Sequence, residues 1–497
     1  MKCQFGSKYG ELLMGFHQTI TKQLKKKVKM FLKNNTKMKT FYLLFFFAVN
    51  FVSAQVTSEM SFNEYLGMVK KFHPLVKIAD LEISQAQANL LMARGAFDPK
   101  LEADFNNKEF GDKKYFSVFN GGFKIPTWYG IEFKGGFESN EGSFLNPQNN
   151  TPTDGLNYAG ISIPLLQGFL INQRMADLRK AKININLSVA ERKLQAIQVL
   201  HQAAISYFNW KKNYEEFTLY DTYLNNAEIR LTGIKTLIEQ GDKAAIDSVE
   251  ANIIVKNRRL NKEDALLKLT KARLELSNFL WTTNAVPIEL EETMYPEINL
   301  FKNIQEYLNT NELNLINFQT ENHPKINAIN YKINMLEVDR KLKANQLLPT
   351  VDVGYNYLSN PNQFQEFRFQ DYKFGVNFAI PLFLRKERGS LKLTKQKIES
   401  EKFGLRFEKE QLMNKIESQK AEIQSLKKQE DLITDLVKDN STLLNSEERL
   451  FNMGESSLFL INTRENNLVL AQLSKISIEN RFYVSNADLF KTIANPD

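Results

Sequence analysis

Tyr372-Lys373-Phe374-Gly375-Val376-Asn377-Phe378-Ala379-Ile380 runs directly into Pro381-Leu382, and no proline occurs from Leu382 to Asn495. The first nine residues alternate aromatic or apolar side chains with polar or small ones, which predicts a strand with two unlike faces. The proline-free span that follows is dominated by Lys, Glu, Gln, Leu and Ile, all compatible with helix. Within it Leu391, Ile398, Leu405, Leu412, Gln419, Leu426 and Ile433 recur every seven residues, with Ile416 and Ile423 in the partner seam. That repeat predicts coiled-coil-type packing sustained over many turns.

The same unit occurs earlier in the chain. Tyr158-Ala159-Gly160-Ile161-Ser162-Ile163 alternates, Pro164-Leu165 follows, and no proline occurs from Leu165 to Val286. Glycines interrupt the two helical blocks at Gln240-Gly241-Asp242 and Met453-Gly454-Glu455. A helix from Gly168 to Gln240 would be about 110 Å long, more than a globular core accommodates.

Four landmarks recur in order. His73-Pro74 returns as His323-Pro324 and Pro99 as Pro349, both at an offset of 250. Ile163-Pro164-Leu165 returns as Ile380-Pro381-Leu382 at an offset of 217, and Gly241 as Gly454 at 213. Each His-Pro opens an amphipathic helix, with Ile78, Ile83, Ala86 and Leu90 in one and Ile329, Ile333, Leu336 and Leu342 in the other. The halves therefore form a tandem repeat. The drop from 250 to 217 gives the first half 33 extra residues between its prolines, enough for one more hairpin around Thr127-Trp128-Tyr129-Gly130.

Composition alone would mislead. The 497 residues carry 65 Lys+Arg against 57 Asp+Glu, a formal charge of +8, one Cys and four His. A single cysteine excludes a disulfide framework and a multi-Cys metal site, and few histidines leave little for metal chemistry. The excess charge is local: ten lysines and one acid, Glu11, lie between Met1 and Lys39. An apolar run from Phe41 to Val52 follows, then Ser53-Ala54, the pattern of a secretory signal peptide. The run is too short for a transmembrane helix. Cleavage after Ala54 is expected, with Met30 or Met38 as the working start. Removing residues 1–54 takes 65 bases to 55 and 57 acids to 56, and removes Cys3. A nearly neutral, exported chain gives no support to a nucleic-acid partner.

An exported chain of two-period strands without a long apolar helix can cross a membrane only as a closed β-barrel. Four to six strands cannot close one alone, so the barrel would be shared between chains.

The duplicated order resembles the TolC-type outer-membrane efflux protein family. The resemblance rests on His73-Pro74 through Ala93-Arg94-Gly95-Ala96-Phe97-Asp98-Pro99, on Ile163-Pro164-Leu165-Leu166-Gln167-Gly168-Phe169, on Ile380-Pro381-Leu382-Phe383, and on the Gly241 and Gly454 turns. It implies an α+β membrane protein: a homotrimeric outer-membrane β-barrel continuous with a long periplasmic α-helical barrel. It also implies outer-membrane lipid around the barrel, a periplasmic adaptor and an inner-membrane pump or secretion transporter as partners, and no cofactor. The expected layout is a signal peptide at 1–54 and a first repeat at 55–283, with strands 99–166, a long helix 168–240 and a return helix 243–283. An equatorial linker at 284–322 precedes a second repeat at 323–497, with strands 350–382 and helices 384–452 and 456–493. Thr282 to Leu300, with Pro287 and Pro296, and the C-terminal tail fall in the equatorial belt. The extra first-half hairpin departs from the simplest family pattern.

The resemblance puts acids shortly after the tip glycine at a pore entrance. Asp247 and Glu250 stand six and nine residues after Gly241, where the second repeat has Leu460 and Thr463. Facing a threefold axis they would gather six carboxylates and favour cations; on a solvated helix face they would do nothing special. Gly241-Asp242-Lys243 and Gly454-Glu455-Ser456 are candidate adaptor contacts as well as helix stops. Trp128 and Tyr129 suit a membrane interface or packing within their turn. His73 and His323 are expected as helix caps rather than ligands. No nucleophile elbow, phosphate loop, HExxH or paired-carboxylate arrangement occurs, so no catalysis is expected. A passive export duct is the leading expectation, a periplasmic coiled-coil scaffold without a pore the alternative, and a secreted hydrolase on a helical stalk the weakest.

Overall fold

The computed structural model of the chain describes residues 58–311, 316, 318–363 and 368–494. The expected signal peptide, with Met30, Met38 and the cleavage point after Ala54, lies outside them. Contacts divide the chain into Glu59–Glu291 with Tyr295–Asp497, where all the described elements lie, and a second unit of which only Ser58 and Glu292–Met294 are described.

The elements run β1 (Glu59–Met60), α1 (Phe62–Phe72), α2 (Pro74–Gly95), β2 (Lys100–Phe110), β3 (Lys113–Pro126), β4 (Glu132–Glu141), β5 (Leu156–Pro164), α3 (Gln173–Glu239) and α4 (Ala245–Ser277). They continue β6 (Tyr295–Pro296), α5 (Leu300–Tyr307), α6 (Pro324–Asn345), β7 (Thr350–Ser359), β8 (Tyr372–Ala379), α7 (Arg385–Asn452) and α8 (Leu458–Ile493). The larger sheet is antiparallel with strand order β2-β3-β4-β5-β7-β8. The first half thus supplies four of its strands and the second half two.

The helices form a layer four lanes wide. α3 packs against α2 and α4 on one flank and against α6 and α8 on the other, and α7 closes the layer against α6 and α8. Each half contributes one unbroken helix of 67 or 68 residues, about 100 Å, and one lane made of two shorter helices. The heptad positions of α7 point inward: Ile398, Ile416, Gln419, Ile423, Leu426 and Ile433 are buried. In α2 the buried stripe is Val76, Ala79 and Ala86. Ile78, expected on that stripe, is instead 52% exposed on the far side.

The two histidines explain how the paired short helices meet. His323 Nδ1 accepts from the Lys325 amide at 3.1 Å, capping α6, while Nε2 lies 3.0 Å from the Thr492 carbonyl near the end of α8. His73 caps α2 in the same way through the Leu75 amide at 3.3 Å and bonds to the Asn278 backbone just past α4. In each repeat, one side chain fixes the start of the first short helix to the end of the second.

Strand becomes helix at a built joint. Leu165 N donates to Val351 O at 2.8 Å, and Gly168, at φ 99°, donates its N–H to Asn345 Oδ1 at 2.8 Å. Asn172 then caps α3 by accepting from Met175 N at 2.9 Å. The left-handed glycine and this cap are why α3 starts at Gln173 rather than at residue 168.

At mid-length of α3, Tyr207, Phe208 and Trp210 are fully buried with Phe62 and Tyr65 of α1. Glu297 of the linker holds this region together: its carboxylate accepts from Phe62 N at 3.1 Å, at the start of α1, and its carbonyl accepts from Lys211 Nζ at 2.8 Å.

Burial lowers the pKa of His323, and both its ring nitrogens are engaged in a pattern that suits the neutral ring. A depressed folded-state value means its contribution is intact above the ordinary histidine range and lost as pH falls through the folded value. His323→Asn is expected to flatten the acid limb of thermal melts taken between pH 7 and pH 5, and His323→Ala to lower stability by about 1–2 kcal/mol at pH 7.

Candidate functional site: the sheet faces and the helix tips

The strand register sorts the sheet into two chemically opposite faces. On one lie Leu101, Phe105, Phe119, Phe123, Phe133, Phe137, Ile161, Val353, Tyr355, Phe374, Val376 and Phe378, with pairs such as Phe105↔Phe119, Phe133↔Ile161 and Tyr355↔Phe374. On the other lie Glu102, Asp104, Asn120, Lys124, Lys134, Glu138, Ser162, Asp352, Asn356, Lys373 and Asn377. The aromatic face is exposed on the outer strands, with Leu101 at 87%, Phe105 at 66% and Phe378 at 63%, and half-exposed on the central ones. A continuous exposed aromatic face is unstable in water and suited to lipid.

On the polar face acids and bases are interspersed, and Lys124 pairs with Glu102. Tyr158 lies across β4 and β3 there; a Cβ at Gly122 or Gly136 would meet its hydroxyl at 2.6 or 2.7 Å. The two glycines leave room for the phenol ring to lie flat on the sheet.

Trp128 and Tyr129 form the β3–β4 turn at the strand-to-helix joint. Trp128 stacks on Phe97 with ring centroids 5.8 Å apart, lies under the Arg179 guanidinium at 5.4 Å, and accepts at its carbonyl from Asn172 Nδ2 at 3.1 Å. Tyr129, 55% exposed, rests on Phe169. Trp128 is engaged in turn packing, and Tyr129 is the more exposed of the two.

At the opposite end of the helical layer, both helix pairs turn alike. Gly241 (φ 85°) and Gly454 (φ 83°) are left-handed, and Asp242 N→Leu237 O and Glu455 N→Leu450 O, both 2.9 Å, close the same six-residue stop. Gly241, Asp242, Gly454 and Glu455 are exposed. Lys243 Nζ sits 4.8 Å over the Phe451 ring, tying one tip to the other, and Ser456 donates to Glu447. Ile246, Met453 and Phe459 stand 65–69% exposed beside these turns.

Asp247 lies in the first turn of α4, half-buried. Glu250, three residues on, accepts from Asn462 Nδ2 of α8 at 3.0 Å. The structure thus ties Glu250 into a buried network. Its centre is Glu465, 1% exposed, which binds Arg230 of α3 at 2.6 Å and Arg258 of α4 at 3.2 Å. Arg258 also donates to Asn466 at 2.6 Å, and Arg230 approaches Glu448 of α7 at 3.6 Å. Beside them Tyr223 donates to Gln472 at 2.7 Å; burial, with Glu465 nearby, pushes its pKa up to about 12 and keeps it a donor. All four lanes meet through these charges.

Sequence inspection did not single out Arg230, Arg258 or Glu465. The signal was present: Asn462 and Glu465 interrupt the buried stripe Leu458, Ile461, Leu468 and Val469, and Arg258 falls in the seven-residue series Ala251, Ala265 and Ala272.

No protein-family model matches the sequence and no curated protein does. Solved structures do match the fold. The open state of the Neisseria gonorrhoeae MtrE outer membrane channel superposes with a TM-score of 0.63 at 13% identity, over 87% of this chain and 88% of that one. The Campylobacter jejuni CmeC outer membrane channel gives 0.60 at 13% over 87% and 85%, and the Vibrio cholerae outer membrane protein VceC 0.61 at 11% over 87% and 96%. The chain has the fold of the TolC-type outer-membrane channels. No described helix is long and apolar enough to cross a membrane.

Two outcomes follow. Glu465→Ala leaves the buried Arg258 and the partly buried Arg230 without their carboxylate and is expected to cost about 3–5 kcal/mol, read as a lower unfolding midpoint with faster amide exchange across 458–470. Val376→Lys, on the aromatic face, is expected to cost about 2–4 kcal/mol in a bilayer, whereas Asn377→Lys on the polar face costs little; the folded fraction in lipid vesicles measures both.

Proposed function

We propose that the chain is a passive outer-membrane export duct, a homotrimer whose shared β-barrel continues into a periplasmic α-helical barrel. The observation that carries this is one sheet with a lipid-compatible face and a polar face, joined without a break to four lanes of helix. Both layers end in open edges that a second copy would fit. In α4, Ile253, Leu260, Leu267 and Leu274 are at least 52% exposed at seven-residue intervals, and in α7 so are Leu436, Leu443 and Leu450 at 37–49%. Two unfilled heptad seams on opposite flanks suit head-to-tail packing of identical chains.

The tips at Gly241-Asp242-Lys243 and Gly454-Glu455-Ser456, with exposed Ile246, Met453 and Phe459, suit docking of a periplasmic adaptor hairpin. An inner-membrane pump or secretion transporter would supply energy and choose the cargo, in a tripartite efflux or type I secretion assembly. A pore-free periplasmic scaffold would have no use for an aromatic sheet face. Fractionation separates the two: the duct stays with outer membranes and runs as a trimer, and a soluble monomer would refute it. Crosslinks from Lys243 or Ser456 to an adaptor would report docking.

Asp247 and Glu250 remain the proposed entrance acids, Asp247 the freer of the two because Glu250 is engaged by Asn462. Asp247→Ala with Glu250→Ala is expected to raise single-channel conductance and lower cation selectivity in planar bilayers; unchanged values would remove them from the entrance.

A further inference from the structure

We infer that the barrel wall of this duct has eighteen strands, six from each of three chains, and is therefore as wide as the helical barrel beneath it. The inference rests on the trimeric duct proposed above and adds the wall's size and the strands that close it.

The repeat by itself would give each half two strands, as the second half has in β7 and β8. The first half has four, and the additional pair is not a flap. In the order β2-β3-β4-β5-β7-β8, β3 and β4 lie between β2 and β5, so the sheet cannot lose them without detaching β2. Their turn is anchored at the joint by Asn172 on the Trp128 carbonyl at 3.1 Å and by Arg174 on Glu132 at 2.5 Å.

Widths agree with this count. Four helix lanes at 8–10 Å span about 32–40 Å of circumference per chain. Six strands spaced about 4.8 Å and tilted about 40° span about 38 Å, while four would span only about 25 Å. With six strands the sheet meets the helical layer edge to edge.

The free edges are β2 and β8, exposed along their whole lengths. Five antiparallel steps separate them, so β2 and β8 run in opposite directions and can extend the antiparallel ladder between neighbouring chains. The aromatic face is continuous through the joint, with Leu101, Ala103 and Phe105 on β2 and Phe374, Val376 and Phe378 on β8. A second copy is thus the partner both edges fit. Three chains close eighteen strands at a backbone diameter of about 36 Å, against about 24 Å for twelve.

The full-length chain, expressed into outer membranes and purified, tests this in two ways. Electron cryomicroscopy should count eighteen strands. For crosslinking, Phe374→Cys is combined in turn with Leu101→Cys, Ala103→Cys or Phe105→Cys of β2, and with Phe133→Cys, Gly135→Cys or Phe137→Cys of β4. Cys3 is the only native cysteine, and within one chain β8 lies too many strands from either partner to be bridged. Covalent trimers through β2 are the expected result. Trimers bridged through β4, or a twelve-strand wall, in a conducting assembly would overturn the inference and leave the duct standing. Absence of both trimer and membrane insertion would overturn both.

Discussion

Every structural choice in this chain is compatible with one constraint: an edge strand placed in lipid has no water to satisfy its N–H and C=O groups. Here two edges, β2 and β8, are open; β2 carries charges and a bulge at Lys108/Glu109, whereas β8 has only the charge of Lys373 among its eight residues. Edge protection in soluble proteins relies on charged side chains, prolines, bulges, short strands or covering elements. Instead β8 carries Tyr372, Phe374, Val376 and Phe378 in strict alternation, the pattern of a strand meant to have neighbours on both sides and lipid on one face. The helical layer repeats the situation in coiled-coil form, with apolar heptads left unfilled on its two outer lanes. Sheet and helices are incomplete at the same two boundaries, and a single rotational operation could complete both.

Joining a period-two sheet to a period-3.6 helix without a domain boundary requires a tight change of direction under low hydration. The chain manages it with side chains that substitute for backbone partners. Asn345 supplies the acceptor for Gly168, and Asn172 both caps α3 and secures the β3–β4 turn. The histidines solve a related problem at mid-length, where two short helices must imitate one long one: each ring uses one nitrogen for the first helix and one for the second. That double use explains why the His-Pro pair recurs with the repeat, and why proline, harmless at the first helical position, follows it.

Much of this was legible in residue order because periodicity and punctuation are local. Alternation marked the strands, the heptads of α7 marked its buried seam, and the positive-φ glycines marked the tips. The strand count was not legible, because only the register shows β3 and β4 inside the sheet and aligns one face across all six strands. The charged network escaped for a different reason. Arg230, Arg258 and Glu465 belong to three helices separated by up to 235 positions, and among so many lysines and glutamates nothing local distinguishes a buried ion from a solvated one. Their placement on apolar stripes becomes informative only once the lanes are known to be adjacent. Ile78 shows the reverse limit: an apolar residue at helical spacing can face an unfilled flank as easily as a core.

The chemistry of the two ends differs. Along the sheet, the polar face mixes acids and bases, Lys124 pairs with Glu102, and Gly122 and Gly136 leave room for Tyr158 to lie flat on the strands. Near the tips, an apolar cluster of Ile234, Ala251 and Leu458 is joined by ionic contacts between lanes, centred on the buried Glu465 and Arg258. A buried ion pair adds little net stability over a well-packed apolar contact, yet it is costly to break from one side and tolerates only one geometry. Apolar heptads can slide and still bury area; Arg230 and Arg258 cannot move from Glu465 without stranding a charge. The helical end therefore holds one defined arrangement of its lanes, set by the side chains around Glu465.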